Sequence, residues 1–498
     1  MNVRFKWTLL VGLLIADISS ADTQVDPETA LKLLRGQGAQ FEKQVVQVTD
    51  NVFTAVGFHG ANTSMIVGDD GVIIVDTLMG PTSASDALKS FRQISDKPVK
   101  AIIYTHSHGD HTGGASAFVG EDNPAIIAMQ NFGSAHGVDD ALTPIMIRRG
   151  ARQFGRGLPP DQATNRGVAR ADTVDHDRGR GYLPPTTTVD VDVYKTEIAG
   201  VSIELHSSPG ETDDALFVWL PQEKVLFSGD NFYQSFPNLY AIRGTAYRDV
   251  LKWSTSVGKM ASFEPVHLVP GHTMPINGQQ EATSALSKFS DAIRSVYEQT
   301  VQGINEGKGP DLIAHEIELP EHLKDEPYLV EFYGSVSHAS RAIFAGLLGW
   351  YDGNPTTLNR LHPRDEAQHV ARLAGGTSKL TKKMLRAMDD GELQWALQLS
   401  DHLRWLEDAD RRLVLDTKIR ALRGLAAREY NAPNRNYYLS YANELESGQL
   451  QEFEIQTKGE KQASAVLPSA ANFPLQFPYR EQIDSVLSDS LSKSSQLY

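Results

Sequence analysis

The chain has 498 residues, 41% of them hydrophobic, so it is long enough to bury more than one core. Its 47 basic residues are outnumbered by 62 acidic ones, and the formal net charge is −15. This balance, with no basic run, argues against a nucleic-acid partner, because phosphate binding depends on clustered lysine and arginine. The absence of cysteine excludes a fold held by disulfides.

The first 21 residues have the pattern of a signal peptide. A basic start, Met1 to Lys6, precedes a short apolar run, Trp7 to Ala16, and small residues at 19–21 offer a cleavage site. The run is too short to span a membrane stably, although a membrane anchor is the alternative interpretation. We therefore expect an exported protein, periplasmic or secreted, with no transmembrane anchor after cleavage. A cysteine-free chain is compatible with a Gram-negative periplasm but does not demand it.

Four short apolar runs then predict strands. Residues 52–56, 64–67 and 72–76 start a first sheet, with a hairpin turn predicted at Asp69-Asp-Gly71. The fourth run, Val99 to Tyr104, is rich in β-formers and lacks glycine and proline, which indicates a buried strand. It leads directly into a polar loop. We expect that loop at the C-terminal edge of a strand, where α/β proteins place their sites.

The polar loop, Thr105-His-Ser-His-Gly-Asp-His-Thr-Gly-Gly114, is crowded with metal-type ligands. Residues i and i+2 of an extended segment point the same way, so His106 and His108 can share one ion. Asp110 and His111 follow a change of direction, so two adjacent ions are expected. Imidazole and carboxylate suit zinc, and iron or manganese would accept the same set. A solvated polar loop is the alternative, but it gives no reason for histidine at these spacings.

The segment His106-Ser-His-Gly-Asp-His111 resembles the signature of the metallo-β-lactamase superfamily, an αββα sandwich with a dinuclear metal centre. The resemblance implies further ligands in three later motifs, each beside an apolar run that can form a strand. Ser208-Pro-Gly-Glu-Thr212 offers Glu211, Ser228-Gly-Asp-Asn231 offers Asp230 as the bridging carboxylate, and Val269-Pro-Gly-His-Thr273 offers His272. Taken singly, these are ordinary turn or loop residues, and their order after the first motif favours metal ligation.

A glutamate at position 211, where most of the superfamily has histidine, resembles one branch, the type III alkyl sulfatases. The resemblance extends from about Gln44 to about Leu445. The segments Tyr333 to Ala342 and Gly349 to Pro355 resemble the start of the helical dimerisation domain of this branch, which implies a homodimer. The stretch from residue 238 to residue 249 resembles its sulfate-binding segment, which implies substrate-binding roles for Asn238, Tyr240, Arg243 and Arg248.

Two features depart from this branch. Its members commonly carry a histidine, thought to protonate the leaving group, where this chain has Tyr333. Many members also end in a complete sterol-carrier-like domain, of which Phe477 to Asp484 resembles the opening at most. The implied catalytic residues are Asp110, Asp230 and Tyr333. Tyrosine is a weak acid near neutral pH, so we expect cleavage of the C–O bond, at least with secondary esters and with inversion at the carbon, because this cleavage expels sulfate and needs no proton.

Residues 131–188 form a polar insert that we interpret as part of the substrate rim, because long loops in compact domains are usually functional or disordered. Within the insert, Arg148 to Arg152 is interpreted as a solvated helix end. An alkyl tail needs apolar side chains, and the candidates, for which core packing is the alternative, are Phe154, Phe232 and Phe236. His206 and His267 lie inside apolar strands and are interpreted as structural.

After about residue 280 the strand pattern gives way to helical periodicity. Ala282 to Tyr297 predicts one helix, and Leu380 to Leu425 predicts consecutive amphipathic helices. The predicted fold class is α/β, an αββα metallo-β-lactamase sandwich followed by an all-α dimerisation domain. The predicted segments are a signal peptide at 1–21, the catalytic domain at 22–280, the helical domain at 281–446 and a mobile tail at 447–498.

These patterns predict a hydrolase with two divalent metal ions, zinc being favoured, that cleaves linear alkyl sulfates such as dodecyl sulfate to alcohol and inorganic sulfate. The planar guanidinium of Arg243 suits the negative head of such an ester. One alternative is another hydrolase of this fold, a thioesterase, lactonase or β-lactamase. The other is a catalytically silent exported dimerisation protein, and the presence of all seven expected ligands counts against it.

Overall fold

The structure, a computed structural model, describes residues 25–133, 140–173 and 176–450. The predicted signal peptide at 1–21 lies outside the described residues, and so does the predicted tail beyond residue 450. In the part of the chain that is described, no helix is both long and apolar enough to cross a membrane.

The first half of the chain builds a seven-stranded sheet whose strands lie in sequence order. They are β1 (Gln44–Gln47), β2 (Val52–Val56), β3 (Thr63–Val67), β4 (Val72–Val75), β5 (Val99–Ile103), β6 (Ala125–Met129) and β7 (Thr187–Val189). Strands β1 to β4 pair antiparallel, and β4 to β7 pair parallel. The four strands predicted from the sequence are confirmed to within one residue at each end.

A second, six-stranded sheet follows, in the order β13-β12-β11-β10-β9-β8. Its strands are β8 (Val193–Ile198), β9 (Val201–Ser207), β10 (Leu216–Leu220), β11 (Val225–Gly229), β12 (His267–Pro270) and β13 (Ile276–Asn277). Only the β11–β12 pair is parallel among these strands. The C-terminal ends of β11 and β12 therefore lie side by side, and the chain leaves them next to Asp230 and His272.

The helices are α1 (Pro27–Gln37), α2 (Pro81–Phe91), α3 (Gly109–Thr112), α4 (Ala115–Val119), α5 (Thr143–Gln153), α6 (Val250–Ala261), α7 (Gln279–Asn305), α8 (Pro310–Glu316), α9 (Glu321–Lys324), α10 (Val336–Leu348), α11 (Pro355–Leu358), α12 (Pro363–Ala374), α13 (Thr377–Asp389), α14 (Leu393–Leu403), α15 (Arg411–Arg428) and α16 (Ala432–Glu446). Short 3₁₀ turns lie at Gly38–Phe41 and Asp140–Leu142. The helices predicted between 282 and 297 and between 380 and 425 are thus confirmed as α7 and as α13 to α15.

The two sheets pack face to face around an apolar core that includes Ile73, Ile103, Val218 and Phe227. Helices α2 and α4 cover the outer face of the first sheet. Helices α6 and α7 cover the second sheet, with Phe289 of α7 packed in its core. The αββα sandwich is therefore confirmed. Because α7 begins at residue 279 and packs on the second sheet, it lies with the catalytic sandwich, whereas the sequence assigned it to the helical domain.

Helices α12 to α16 bury a core of their own. The insert reaches this helical region through α5, because Arg152 donates two hydrogen bonds to Glu444 of α16, at 2.9 and 2.5 Å. Arg152 is only 7% exposed, so the interpretation of Arg148 to Arg152 as a solvated helix end is wrong at this residue. The rim of the sandwich and the helical region are tied by a buried ion pair.

Candidate metal centre

The structure brings all seven predicted ligands together at the edge of the sandwich. Their donor atoms form three groups, each within 4.8 Å: His106, His111 and Asp230; Asp110, His111 and His272; and His108, Glu211 and Asp230. Asp230 and His111 each belong to two of these groups, and of the two only Asp230 is the carboxylate expected to be shared. The ligand role of each residue stays a prediction, but the spatial arrangement it requires is present.

The histidine loop owes its position to β5 and to the short helix α3. His106 and His108 leave the strand end in extended backbone, with His106 Nε2 and His108 Nδ1 3.0 Å apart. Asp110 and His111 lie on α3, which begins at Gly109. The chain changes direction after His108 as expected, but the ligand groups do not follow the predicted division, because His106 groups with His111, and His108 groups with Glu211.

Asp76, at the end of β4, orients the loop, and sequence reasoning missed it. Its Oδ2 lies 2.7 Å from Nδ1 of His111 and accepts a hydrogen bond from Thr105 Oγ1 at 2.8 Å. Its Oδ1 accepts from the Thr105 amide at 2.8 Å. A carboxylate on Nδ1 fixes the tautomer that presents Nε2 to a metal. The available signal was an aspartate ending an apolar strand, and its φ of 57° marks local strain.

His272 is oriented by the backbone. Its Nδ1 lies 2.7 Å from the carbonyl of Gly60, and its Nε2 lies 3.2 Å from Asp230 Oδ2. The preceding Gly271 permits this approach, because a Cβ there would lie 2.2 Å from Asp230 Oδ1. Only glycine fits between the loop that carries His272 and the shared carboxylate.

Glu211 is held by an arginine and an asparagine. Its Oε1 lies 2.7 Å from Arg248 Nη1, and its amide donates to Asn231 Oδ1 at 3.0 Å. Arg248 also donates to the carbonyl of Asn238 at 2.6 Å and is only 6% exposed. The first role that the geometry gives Arg248 is therefore to position Glu211, and its predicted contact with sulfate stays a prediction.

Three buried atoms at the centre lack a hydrogen bond of good geometry within the described residues: His111 Nε2, Glu211 Oε2 and Asp230 Oδ1. The first and the last lie 3.2 Å apart. Buried polar atoms are almost always satisfied, so a group of orphans converging on one point indicates a missing partner. A nitrogen and two carboxylate oxygens are donors that divalent cations take. The residues therefore fit the metal centre that the motifs imply.

The local charges shift the pKa values of the four ligand histidines in both directions. Burial and the neighbouring His111 lower the pKa of His106, and burial also lowers that of His108, so both imidazoles are neutral. Burial opposes ionisation of Asp230, but His111, His272 and His106 outweigh it and hold its pKa well below the usual range. Against burial, Asp230 raises the pKa of His111 and raises that of His272 to about 9, so these two imidazoles must release a proton when they bind metal.

Beside the centre lie residues predicted to handle substrate. Burial and the nearby charge of Arg248 lower the pKa of Arg243, and the nearby Glu211 opposes this shift. Asn238 is buried, and its Nδ2 has no hydrogen-bond partner among the described residues. Tyr240 is partly exposed, and no contact ties it to the centre in the described part of the chain. Arg243 and Asn238 are thus the neighbours with spare donors.

Tyr333 is 8% exposed and stacks edge-on against Tyr233 with ring centroids 5.8 Å apart. Burial and the charge of Glu211 raise the pKa of its phenol, against Arg243 and Arg248. Phe154 packs against the same pair of tyrosines. Tyr333 is therefore a neutral hydrogen-bond donor close to the ligands.

Two of the three phenylalanines proposed for an alkyl tail do not line the site. Phe232 and Phe236 are fully buried in the core that α6 and α7 share with the second sheet. That interpretation is wrong for them, because the chain after Asp230 turns inward. His206 stacks on Phe217 with ring centroids 4.7 Å apart, and Nδ1 of His267 lies 2.9 Å from Asn277 Oδ1. Neither histidine belongs to a ligand group.

Two protein families match this chain, one over the sandwich and one over the helical region. The family described as the metallo-beta-lactamase superfamily matches residues 56–272, and the family described as alkyl sulfatase dimerisation matches residues 309–448. The sandwich and the helical region thus match two separate families.

Relatives identify the class. A linear primary-alkylsulfatase from Pseudomonas sp. is 34% identical over 390 residues, which cover 77% of this chain and 73% of the relative. An alkyl/aryl-sulfatase from Saccharomyces cerevisiae is 30% identical over 416 residues, covering 81% of this chain and 64% of the relative. The solved stereoselective inverting sec-alkylsulfatase from Pseudomonas sp. has a TM-score of 0.77 at 27% identity, over 84% of this chain and 68% of its own. The chain belongs to the alkylsulfatase family and is an enzyme of that family.

Proposed function

We propose that the protein hydrolyses alkyl sulfate esters, such as dodecyl sulfate, to an alcohol and inorganic sulfate with the help of two divalent metal ions, zinc being favoured. The observation that carries this proposal is the set of six further ligands around Asp230, with Glu211 in the place where Arg248 can hold it. The alkylsulfatases among the relatives support the same substrate class.

Divalent ions at such a centre supply Lewis acidity and lower the pKa of coordinated water by many units. The residues of this chain do the rest. Asp230 and Asp110 contribute anionic ligands, and Asp76 and the Gly60 carbonyl orient His111 and His272. Arg243 has a planar guanidinium that can bind two sulfate oxygens.

The bond that breaks is proposed to be C–O. Sulfur–oxygen cleavage expels an alkoxide that must be protonated, and a phenol whose pKa is raised above the ordinary tyrosine value gives up its proton reluctantly. Carbon–oxygen cleavage expels sulfate, which needs a cation such as Arg243 and no proton. The inverting sec-alkylsulfatase that resembles this chain supports attack at carbon.

Hydrolysis of dodecyl sulfate and of a secondary alkyl sulfate in oxygen-18 water tests both parts of this proposal, with sulfate release measured by ion chromatography. We expect sulfate release that stops on metal chelation and returns with zinc, and the label in the alcohol. No sulfate release by metal-loaded protein would refute the substrate class. Label only in the sulfate would leave the class intact and refute C–O cleavage.

A homodimer is proposed through an apolar surface at the end of α10 and around α11. Leu347, Leu348, Trp350, Leu358 and Leu361 are all exposed there, Trp350 by 74%. Large apolar side chains in one exposed segment mark an interaction surface, and this segment lies in the region matched by the dimerisation family. We expect Trp350→Glu to shift the mass measured by light scattering to that of a monomer. Ile94→Glu, at an exposed position of the catalytic domain, is the control.

Export by cleavage after Ala21 is likewise proposed from the sequence. Amino-terminal sequencing of protein recovered from the periplasm or medium is expected to begin at Asp22. Retention of residues 1–21 would contradict it.

A further inference from the structure

One face of helix α5, in the insert, lies against the segment that carries Arg243. The residues of this face, at positions 146, 149, 150 and 153, have the i, i+3, i+4 and i+7 spacing of a single helical stripe. Arg149 Nη2 donates to the carbonyl of Ile242 at 2.6 Å, and Gln153 Oε1 accepts from the amide of Arg243 at 2.8 Å. Both polar groups of the peptide that joins Ile242 to Arg243 are therefore bound by α5.

Two glycines let the helix and the segment approach each other. A Cβ at Gly150 of α5 would lie 4.0 Å from Cδ of Arg243, so the stem of the arginine side chain passes close to the helix at this point. Gly244, which follows Arg243, has a φ of 105°, and a Cβ there would lie 3.2 Å from Sδ of Met146. Helix α5 thus supports both the backbone and the side-chain stem of Arg243.

The support is itself anchored to the helical region. Asn436 of α16 donates from Nδ2 to the carbonyl of Gln153 at 3.4 Å. The neighbouring Arg152 pairs with Glu444 of α16, and its guanidinium carbon lies 4.8 Å from the ring centroid of Tyr441. The C-terminal end of α5 is therefore held by a second helix, so it offers Arg243 a fixed reference point.

Gln153 is the central residue of this support. It is fully buried, with 0% of its surface exposed, and it connects α16, through its own carbonyl, to Arg243, through its side chain. No hydrogen bond or ion pair ties the guanidinium of Arg243 to the described part of the chain. The direction of the guanidinium therefore depends on the backbone and stem that α5 holds.

We propose that Gln153 is a positioning residue for sulfate binding and acts by holding the backbone amide of Arg243. The inference rests on the proposed function, since Arg243 is taken to bind the sulfate group of the ester. A guanidinium that binds two oxygens works only in one orientation, and a misplacement of about 1 Å can cost about 100-fold in rate. The proposal gives Gln153 no contact with substrate, so its whole effect must pass through Arg243.

A double-mutant cycle tests this dependence, with sulfate release from dodecyl sulfate by the metal-loaded full chain as the measurement. Gln153→Met keeps the length of the side chain and removes the acceptor. We expect it to lower kcat/KM by about tenfold or more in the wild-type background and by less than about twofold in Arg243→Ala, with the metal content unchanged. Wild-type kinetics, or the same loss in both backgrounds, would overturn the inference, since a merely structural role does not need the Arg243 side chain. No sulfate release by the wild-type enzyme would refute the proposed function and the inference with it.

Gly150 gives a second test that leaves the hydrogen bond to Arg243 in place. Gly150→Leu is expected to lower kcat/KM at least about fivefold more than Gly150→Ala, because a Cβ fits beside the arginine stem and a longer side chain displaces it. Gln162→Met is the matched control, since Gln162 belongs to the same insert but its Oε1 accepts from Asn443 of α16 at 2.9 Å. Equal kinetics of the two Gly150 variants, or a loss in Gln162→Met as large as that in Gln153→Met, would contradict the support of Arg243 by α5.

Discussion

Replacing Asp76 by asparagine isolates the charge that orients the histidine loop. Asparagine tolerates the positive φ of this position, so the backbone is preserved. The amide oxygen can still accept from the Thr105 amide, now 2.8 Å from Oδ1. The amide nitrogen, however, faces His111 Nδ1, where the carboxylate oxygen lies at 2.7 Å. Two donors then oppose each other, and His111 is driven toward the tautomer whose Nε2 carries the proton and cannot ligate.

The expected loss follows from that contact. Removing the residue that orients a ligand histidine typically lowers metal affinity by about 10- to 100-fold, or about 1.4 to 2.7 kcal/mol. Competition with a chelator measures the zinc affinity of each protein, and sulfate release at saturating zinc measures what activity remains. Asp86→Asn, an exposed aspartate on α2, is the matched control. A zinc affinity of Asp76→Asn within twofold of wild type would contradict the orienting role.

Three further changes probe substrate, packing and pH. Arg243→Ala is expected to retain its metal but to lose on the order of 3 kcal/mol in kcat/KM for sulfate esters, and wild-type kinetics would exclude Arg243 from sulfate binding. Arg152→Ala leaves the Glu444 carboxylate without its partner and is expected to lower the free energy of unfolding by about 3 kcal/mol in urea, with Arg170→Ala, whose ion pair is more exposed, as the control. Burial and the nearby Glu331 raise the pKa of Glu429 from 4.5 to about 7, so its neutral form stabilises the fold below pH 4.5 and this contribution is lost as pH rises through 7. Glu429→Gln is therefore expected to remove on the order of 2 kcal/mol of the fall in unfolding free energy between pH 5 and 8, and an unchanged pH dependence would contradict the buried-carboxyl assignment.

The local sequence pattern predicted those features of the protein that depend on residues close together in the chain, namely its strands and helices. The alternation and β-branching of residues 52–56 and 99–103 predict strands because side-chain period and backbone preference act over a few residues. The spacing of His106, His108 and His111 predicted a divided ligand set, but the ligand groups of the folded protein do not follow that division. Amphipathic periodicity placed the helices α13 to α15 correctly, since one face of each must be buried.

The residues that orient the ligands do so through contacts between positions far apart in the sequence. Asp76 lies 35 residues before His111 in the sequence. Arg248 contacts Glu211 although two strands of the second sheet separate these residues along the chain. The resemblance of residues 238–249 to a sulfate-binding segment assigned Arg248 to substrate, and no local feature of the sequence shows which carboxylate an arginine will meet. Which of these residues meet depends on how the strands that carry them are arranged in the folded protein.

Which side chains are buried also depended on the tertiary structure. An isolated phenylalanine carries the same pattern whether it lines a pocket or a core, so Phe232 and Phe236 looked like candidates for a substrate tail until the packing of α6 and α7 enclosed them. Arg152 looked solvated until α16 supplied Glu444. The sequence by itself determined the fold and the chemistry of the ligand loop. Only the tertiary structure decided which side chains face substrate, because burial is set by elements that are separate in the sequence, as with Arg152 and Glu444, which are 292 residues apart.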